Sequence, residues 1–368
     1  MENKTLILHD TFLYKWGGER LILLMAKVLD TDLASGFFDK WSYDLREQWF
    51  EWKMIEISSP IFKKWFRHIK LKWAFLFKTK FLKDYKNVIF SWDCLGAVRN
   101  CPKNVKKYYY CHTPPRYIFD QKEVYLSKVP LLIRPIYLIL LKLFKNMYLS
   151  DISKMDVIFT NSKTTQARIK FFTWYDAEII YPPVDITFFK PSEIRKEYYF
   201  SYARLSEIKR VDKIVAAFMQ MPDKELVFAY WKNDPEKWKI LKSVEWYNNI
   251  TPIESPSDDE LRKLIRESVA TIYIPVNEDF GMSPVESMAC GVPVIWVNDW
   301  WLKETVSDWE TWILIWKEAK VKDIKAAVEK LSLEESIKMK EKCIIRASDF
   351  SLESFGSLLR DKMDNGRI

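Results

Sequence analysis

The sequence predicts an α/β protein made of two parallel sheets, each covered on both faces by helices. Three observations carry that expectation. A chain of 368 residues is too long for one comfortable core. Short apolar runs alternate with helical stretches, as buried parallel strands and their crossovers do. After "FFKPS" the alternation begins again, so two α/β halves joined near Pro182 to Pro191 form the simplest parse.

In the first half, "KTLILHD" reads as a strand. Gly17 and Gly18 then precede the helical spacing of Leu21, Leu24, Met25 and Val28. Further strands are expected in "NVIFS" from Asn87, "KKYYYCH" from Lys106, "MDVIFTNS" from Met155 and "AEIIYPPVD" from Ala177. In the second half the runs are "YYFSYARL" from Tyr198, "ELVFAYW" from Glu225, "NITPIES" from Asn249, "ATIYIPV" from Ala270 and "VPVIWV" from Val292. Helices are expected in "RVDKIVAAFMQM", "SDDELRKLIRES" and the closing "SDFSLESFGSLLRDKMDNG". Ligands of parallel sheets bind beyond the carboxyl ends of strands, so the chemistry is expected in a cleft between the halves.

Composition narrows the function class. Nothing in "MENKTLILHD" reads as a signal peptide, which predicts a cytoplasmic location. The cysteines Cys94, Cys101, Cys111, Cys290 and Cys343 are scattered, and the histidines are His9, His68 and His112; neither a disulfide framework nor a metal site is expected. The net charge of +8 is densest between Ile61 and Lys86, where lysine and arginine interleave with aromatic residues. That pattern suits an anionic membrane surface. A second segment, Val129 to Phe144, is apolar but too short to cross a membrane. The plainer reading of both is buried helices with snorkelling basic side chains. No recognisable nucleic-acid motif accompanies the basic charge, and no nucleic-acid partner is expected.

The richest local signal is "NEDFGMSPVESMACGVPVI". Ser283 as N-cap, Pro284 at the first helical position and Glu286 three residues after the cap make a capping box, and Gly291 ends the helix. Phe280, Gly281 and Met282 present main-chain amides at a positive helix end, which favours a phosphate. Glu278, just before that turn, suits sugar hydroxyls. In "YARLSEIKRVDKI", Arg204 at a strand end and Lys209 near the next helix can stabilise a departing diphosphate, although a solvated basic loop is the plainer alternative.

The order of Arg204, Lys209, Glu278 and Glu286, followed by "CGVPVI" and "LKETV", resembles the nucleotide-sugar half of a retaining glycosyltransferase of family 4. In the first half, "YYYCHTPPRYIFD", "FTNSKTTQARI" and "IIYPPVD" resemble its mannosyltransferase-like group 1 branch. The resemblance implies the GT-B fold: an acceptor-binding Rossmann-like domain over residues 1–190, a nucleotide-sugar-binding one over 191–349, and a closing helix in 350–368 that packs back on the first. It implies that Arg204 and Lys209 hold the donor diphosphate, Glu278 the donor sugar and Glu286 the nucleotide ribose, assisted by the amides of Gly281 to Ser283. Gly17 and Gly18 match the turn facing phosphates and acceptor, and His112 the histidine beside the reacting carbon, with a structural buried histidine as the alternative. No metal or other cofactor is implied.

The implied reaction moves a hexose, mannose from GDP-mannose in the first instance, to a cell-surface glycan or lipid-linked oligosaccharide. A UDP-hexose donor, another nucleotide-sugar enzyme such as an epimerase, and a non-catalytic GT-B-like binding or scaffold protein are the alternatives.

Tryptophan stands where relatives have glycine. "WWLKETV" replaces an expected "GGLKETV", "DWETW" (Asp308 to Trp312) a glycine turn, and "AYWKNDPEKW" a glycine-rich loop; Trp16 precedes Gly17. The chain has 8 glycines and 17 tryptophans, together close to the roughly 7% that glycine alone normally supplies. This predicts that many of these tryptophans are glycines in the cell, encoded by UGA codons that some bacterial lineages read as glycine. A degenerate homologue with indoles filling its donor site is the rival reading.

Overall fold

The computed structural model describes residues 4–13, 17–39, 42, 53–59, 64–276, 278–297 and 312–365. It divides into two compact units, one of residues 1–181 and 355–368 and one of 182–354. The division falls earlier than residue 190.

The first unit runs β1 (Thr5–His9), α1 (Gly17–Leu29), β2 (Asp32–Ser35), β3 (Met54–Glu56), α2 (Lys64–Phe77), β4 (Asn87–Ser91), β5 (Lys106–Cys111), α3 (Lys122–Ser127), α4 (Arg134–Ile152), β6 (Val157–Thr160), α5 (Lys163–Thr173) and β7 (Glu178–Ile179). The second runs β8 (Tyr198–Ser201), α6 (Val211–Phe218), β9 (Glu225–Tyr230), α7 (Lys237–Val244), β10 (Ile250–Glu254), α8 (Asp258–Glu267), β11 (Ala270–Tyr273), α9 (Met282–Ala289), β12 (Val294–Val297), β13 (Trp312–Ile315), α10 (Val321–Lys330) and α11 (Leu333–Ser348). A last helix, α12 (Leu352–Asn365), belongs to the first unit from Phe355 onward.

Among the described residues the strand orders are β3-β2-β1-β4-β5-β6-β7 and β10-β9-β8-β11-β12-β13, with every pair parallel. Both are the doubly wound order, in which the direction of winding reverses beside the first strand. In the first sheet β1 lies between β2 and β4, with His9 opposite Ser91; in the second, β8 lies between β9 and β11. The expected fold class is therefore observed in each unit. Pro252 is accommodated because β10 is an edge strand.

The central strands are buried runs because helices cover both faces; β6, β8, β11 and β12 are buried at every position. From α12, Phe355, Leu359 and Met363 join Ile7, Leu21, Ile22 and Met25 in one cluster, and the Tyr108 hydroxyl donates to the Met363 carbonyl at 2.8 Å. Each such buried side chain contributes about 1.5–3 kcal/mol.

The buried-helix reading of residues 129–144 is overturned. Ile136, Ile139 and Leu143, at the spacing of one face of α4, are exposed, and so is Leu132 in the 3-10 turn just before it, to 94%. Only Leu141, Tyr148, Asp151 and Ile152 of α4 are buried. On α2, Trp73 and Phe77 are exposed as well, while Leu71, Ala74 and Phe75 face the core.

A close helix contact sets a stability test. A Cβ on Gly356 would stand 2.3 Å from Cγ1 of Val28 on α1. Valine on a helix has essentially one rotamer and cannot swing away. Gly356→Ala is expected to lower unfolding free energy by about 1–3 kcal/mol, read by urea denaturation; unchanged stability would show that α12 does not dock as described.

Candidate functional site

In the second unit the loops leaving β8 and β11 meet beside the reversal of strand order. Lys209 follows β8 in a short 3-10 turn, Glu207–Lys209, and its Nζ donates to the Tyr273 hydroxyl at 2.8 Å and to Glu278 Oε2 at 2.5 Å. Burial opposes the charge on Lys209, but Tyr273 and Glu278 outweigh it and hold the ammonium above the usual lysine range. Burial, then the Glu278 charge, pushes the Tyr273 phenol up. Lys209 is thus a fixed cation.

Glycine is required beside this cluster. Gly281 has φ +74°, and a Cβ there would meet the Tyr273 ring at 3.1 Å and Glu278 Cγ at 3.4 Å. Gly281, not Ser283, is the N-cap of α9. The capping box expected from "SPVE" therefore does not form: the helix begins two residues earlier because Gly281 turns the chain, and Glu286 lies buried in the helix body. Glu278 stands in the loop beyond β11, which ends at Tyr273. The Ser283 carbonyl accepts from the Tyr202 hydroxyl at 2.5 Å. Phe280 is buried against Phe350. Gly291 ends the helix at φ +70° as expected.

Two residues that the sequence reading missed position this cluster. Buried Asp234 accepts from Arg204 Nε at 3.2 Å and from the main-chain N–H groups of Leu205 and Trp231 at 3.0 Å each, tying the loop after β8 to the loop after β9. Arg210 sends its guanidinium to the carbonyls of Ile274 (2.6 Å), Pro275 (3.1 Å) and Lys317 (2.8 Å), and Val276 N–H donates to Ile208. These bonds fix the two loops that carry Lys209 and Glu278. An Asp-Pro pair after a strand and a second basic residue beside Lys209 were the available signals. Trp296 packs on Tyr273, ring edge to face, and its buried N–H has no partner among the described residues.

In the first unit, Gly17 and Gly18 open α1, and His112 follows β5. Ser91 Oγ, at the end of β4, bridges His112 Nε2 at 2.9 Å and His9 Nδ1 at 3.1 Å. Burial lowers the His112 pKa to about 3 and depresses that of His9, helped by the His112 charge. Both rings are neutral at neutral pH. The Trp92 indole stacks on His112, centroids 5.1 Å apart and planes at 15°. Burial also raises Glu19 on α1 to about 8, with the Asp10 charge adding to it, and Asp10 beyond β1 to about 7. His9, Asp10, Ser91 and Trp92 were not picked out in the sequence.

Each unit thus gathers its expected residues at the carboxyl edge of its own sheet. Arg204, Lys209, Glu278, Phe280, Gly281, Met282, Ser283 and Glu286 belong to the second unit; Gly17, Gly18 and His112 belong to the first. Trp16, Trp300, Trp301, Trp309 and the side chain of Trp312 lie outside the described residues. Among the described residues no group of three or more His, Cys, Asp or Glu side chains could hold a metal ion.

Residues 185–350 match the family of glycosyl transferases group 1. Human alpha-1,3/1,6-mannosyltransferase ALG2 is 24% identical over 238 residues, 56% of this chain and 54% of that protein, so the match spans about half the length of that relative. Among solved structures, a sucrose-phosphate synthase from Thermosynechococcus elongatus is similar at TM-score 0.78, with 15% identity and 98% of each chain covered. Anabaena HepE in complex with UDP and glucose is similar at TM-score 0.75, with 14% identity, covering 99% of this chain and 100% of that one.

The raised Glu19 pKa predicts a pH dependence. Its stabilising contribution is fully present below its ordinary pKa of 4.5 and is lost as pH rises through about 8. Glu19→Gln should therefore flatten the fall in melting temperature between pH 5 and pH 8, and change little at pH 4. Parallel wild-type and variant melting curves across that range would contradict the burial described here.

Proposed function

We propose that this chain, whose residues 185–350 match the group 1 glycosyl transferases and whose fold is that of GT-B enzymes, transfers a hexose, with retention, from a nucleotide diphosphate sugar to a glycan or lipid-linked acceptor. The observation that carries this reading is the Lys209–Tyr273–Glu278 cluster, with Arg204, on the same loop after β8 as Lys209, held by Asp234, inside the family-matched segment. Cleavage of the anomeric bond puts negative charge on the leaving diphosphate and oxocarbenium character on the sugar. Arg204 and Lys209 offer that diphosphate preorganised positive charge, with Asp234 and Glu278 orienting them. Glu278 accepts from donor-sugar hydroxyls, Glu286 holds the ribose, and the amides of Gly281 to Ser283 assist. Gly17, Gly18 and His112 serve the phosphates, acceptor and reacting sugar from the first unit. No step requires a metal.

The match to a mannosyltransferase supports GDP-mannose as donor, while a structural neighbour solved with UDP and glucose supports UDP-glucose as the alternative. Lys209→Ala should reduce donor turnover by about 10²–10³-fold, measured as release of GDP or UDP from the two donors in turn. Wild-type turnover by Lys209→Ala, or no turnover and no nucleotide binding by a chain restored to glycine at Trp300, Trp301, Trp309 and Trp312, would refute the reading.

The acceptor end of the proposal draws on the exposed face of α4. Leu132, Ile136, Ile139 and Leu143 are flanked by Lys128, Arg134, Lys142 and Lys145, and the sole acid of α4, Asp151, is buried and bonded to Arg99. An apolar stripe with a purely basic rim complements an anionic lipid leaflet. The membrane-facing segment proposed here is accordingly α4 with the exposed side of α2, a shift from residues 61–86 alone. Among the described residues no helix is long and apolar enough to cross a membrane. Replacing Leu132, Ile136 and Ile139 by serine should abolish sedimentation with phosphatidylglycerol vesicles while leaving donor turnover in solution unchanged. Retained sedimentation, or loss of a dimer seen by ultracentrifugation, would reassign the face to another occupant.

A further inference from the structure

Two tryptophans stand on backbone that side chains avoid. Trp92 has φ +63° and Trp174 has φ +66°. In that left-handed region a Cβ crowds the following carbonyl, and glycine escapes the cost. Trp174 is the C-cap of α5, and its N–H donates to the Lys170 carbonyl at 2.9 Å, the bond of a helix-ending turn that glycine ordinarily makes. Its side chain is 82% exposed, so packing does little to offset the strain.

Trp92 shows what such a residue does to the first unit. It leaves β4 at the reversal of strand order, where a parallel α/β sheet receives its ligand. The indole stacks on His112 and its Nε1 lies 3.0 Å from where a Cβ on Gly18 would stand. It therefore fills the space between the amino end of α1 and His112, which a ligand must enter to touch either. Composition points the same way: the 8 glycines and 17 tryptophans together make the roughly 7% expected of glycine.

We propose that positions 92 and 174 are glycine in the functional protein, and that the side chain at 92 is the gate of the first unit's ligand pocket, shut by an indole and open without one. The identity of the ligand, a nucleotide diphosphate sugar, rests on the transferase reading; the backbone argument does not. With glycine at 92 the His112 ring and the start of α1 become accessible to phosphate and sugar oxygens.

Comparing Trp, Ala and Gly at each position separates the two parts. On ordinary backbone alanine equals or exceeds glycine, whereas at positive φ the order reverses. W92G should melt above W92A, and W174G above both W174A and the parent, by about 2 °C or more. Alanine melting at or above glycine at both positions overturns the glycine assignment, as do UGG codons at both positions in the gene. For the gate, GDP and UDP binding by calorimetry and turnover of GDP-mannose and UDP-glucose are expected to improve at least about tenfold in W92G, and to stay at the parental level in W174G. A parent as active as W92G overturns the gate and leaves the transferase reading standing. If no variant binds nucleotide or turns over donor even with glycine also restored at Trp300, Trp301, Trp309 and Trp312, the gate and the transferase reading both fall, and the melting order still decides the glycine assignment.

Discussion

The constraint on which the rest of this structure depends is the reversal of strand order in each parallel sheet. Crossovers between parallel strands are right-handed, so chain that winds outward from β1 through β2 to β3 covers one face, and the return through β4 covers the other. The loops beyond β1 and β4 therefore diverge to opposite faces and leave a gap between them, and β8 and β11 repeat the arrangement. His9, Asp10, Ser91 and Trp92 stand at the first gap; Arg204, Lys209, Tyr273 and Glu278 stand at the second.

The two gaps are furnished by opposite electrostatic means. In the second unit charge is kept and paired: Lys209 with Glu278, Arg204 with Asp234, each held further by hydroxyl or main-chain hydrogen bonds. A paired cation that can exchange its carboxylate for a phosphate is ready for an anion without reorganising its loop. In the first unit burial removes charge instead, leaving His9 and His112 neutral and raising Asp10 and Glu19 toward neutrality. That network orients rings through hydrogen bonds and adds little net field.

Much of this was legible in the sequence where the signal is local. Runs such as "TLILH", "NVIFS" and "ATIY" are apolar and β-branched or aromatic, and they became strands of the two sheets. β2, "DLAS", and β3, "MIE", were not legible, because three or four residues lack a period and their strand state comes from pairing, β2 with β1 and β3 with β2. The start of α9 was misplaced because Ser283 is a better cap by composition, whereas the contact of Gly281 with the Tyr273 ring decides the turn, and no local rule reports it. The Ser91 bridge joins residues 82 and 21 positions apart, and its two histidines meet only once β1, β4 and β5 are adjacent. Hydrophobicity also misled at α4, where an apolar stripe was assigned to the core although the described unit leaves it exposed.

The remaining puzzle, bulky residues at bends, resolves into compensated and uncompensated strain. Among the described residues six non-glycine residues have positive φ: Asp30, Trp92, Trp174, Arg210, Ser255 and Ala319. Asp30 carries a short polar side chain of the kind that tolerates this region by bonding locally. Ser255 and Ala319 are small, and each N–H is satisfied, by Tyr230 at 2.7 Å and Trp316 at 2.8 Å. Arg210 is large, yet its guanidinium reaches the carbonyls of Ile274, Pro275 and Lys317, so the strained backbone is the means by which two loops are joined. Trp174 has one backbone bond that any residue could make, and an indole mostly in water. Trp92 has aromatic contact with His112, but that contact occupies the space a ligand needs. Strain persists in proteins where surrounding interactions over-determine it; at Arg210 they do, and at the two tryptophans the conformation belongs to the backbone rather than to the side chain it carries.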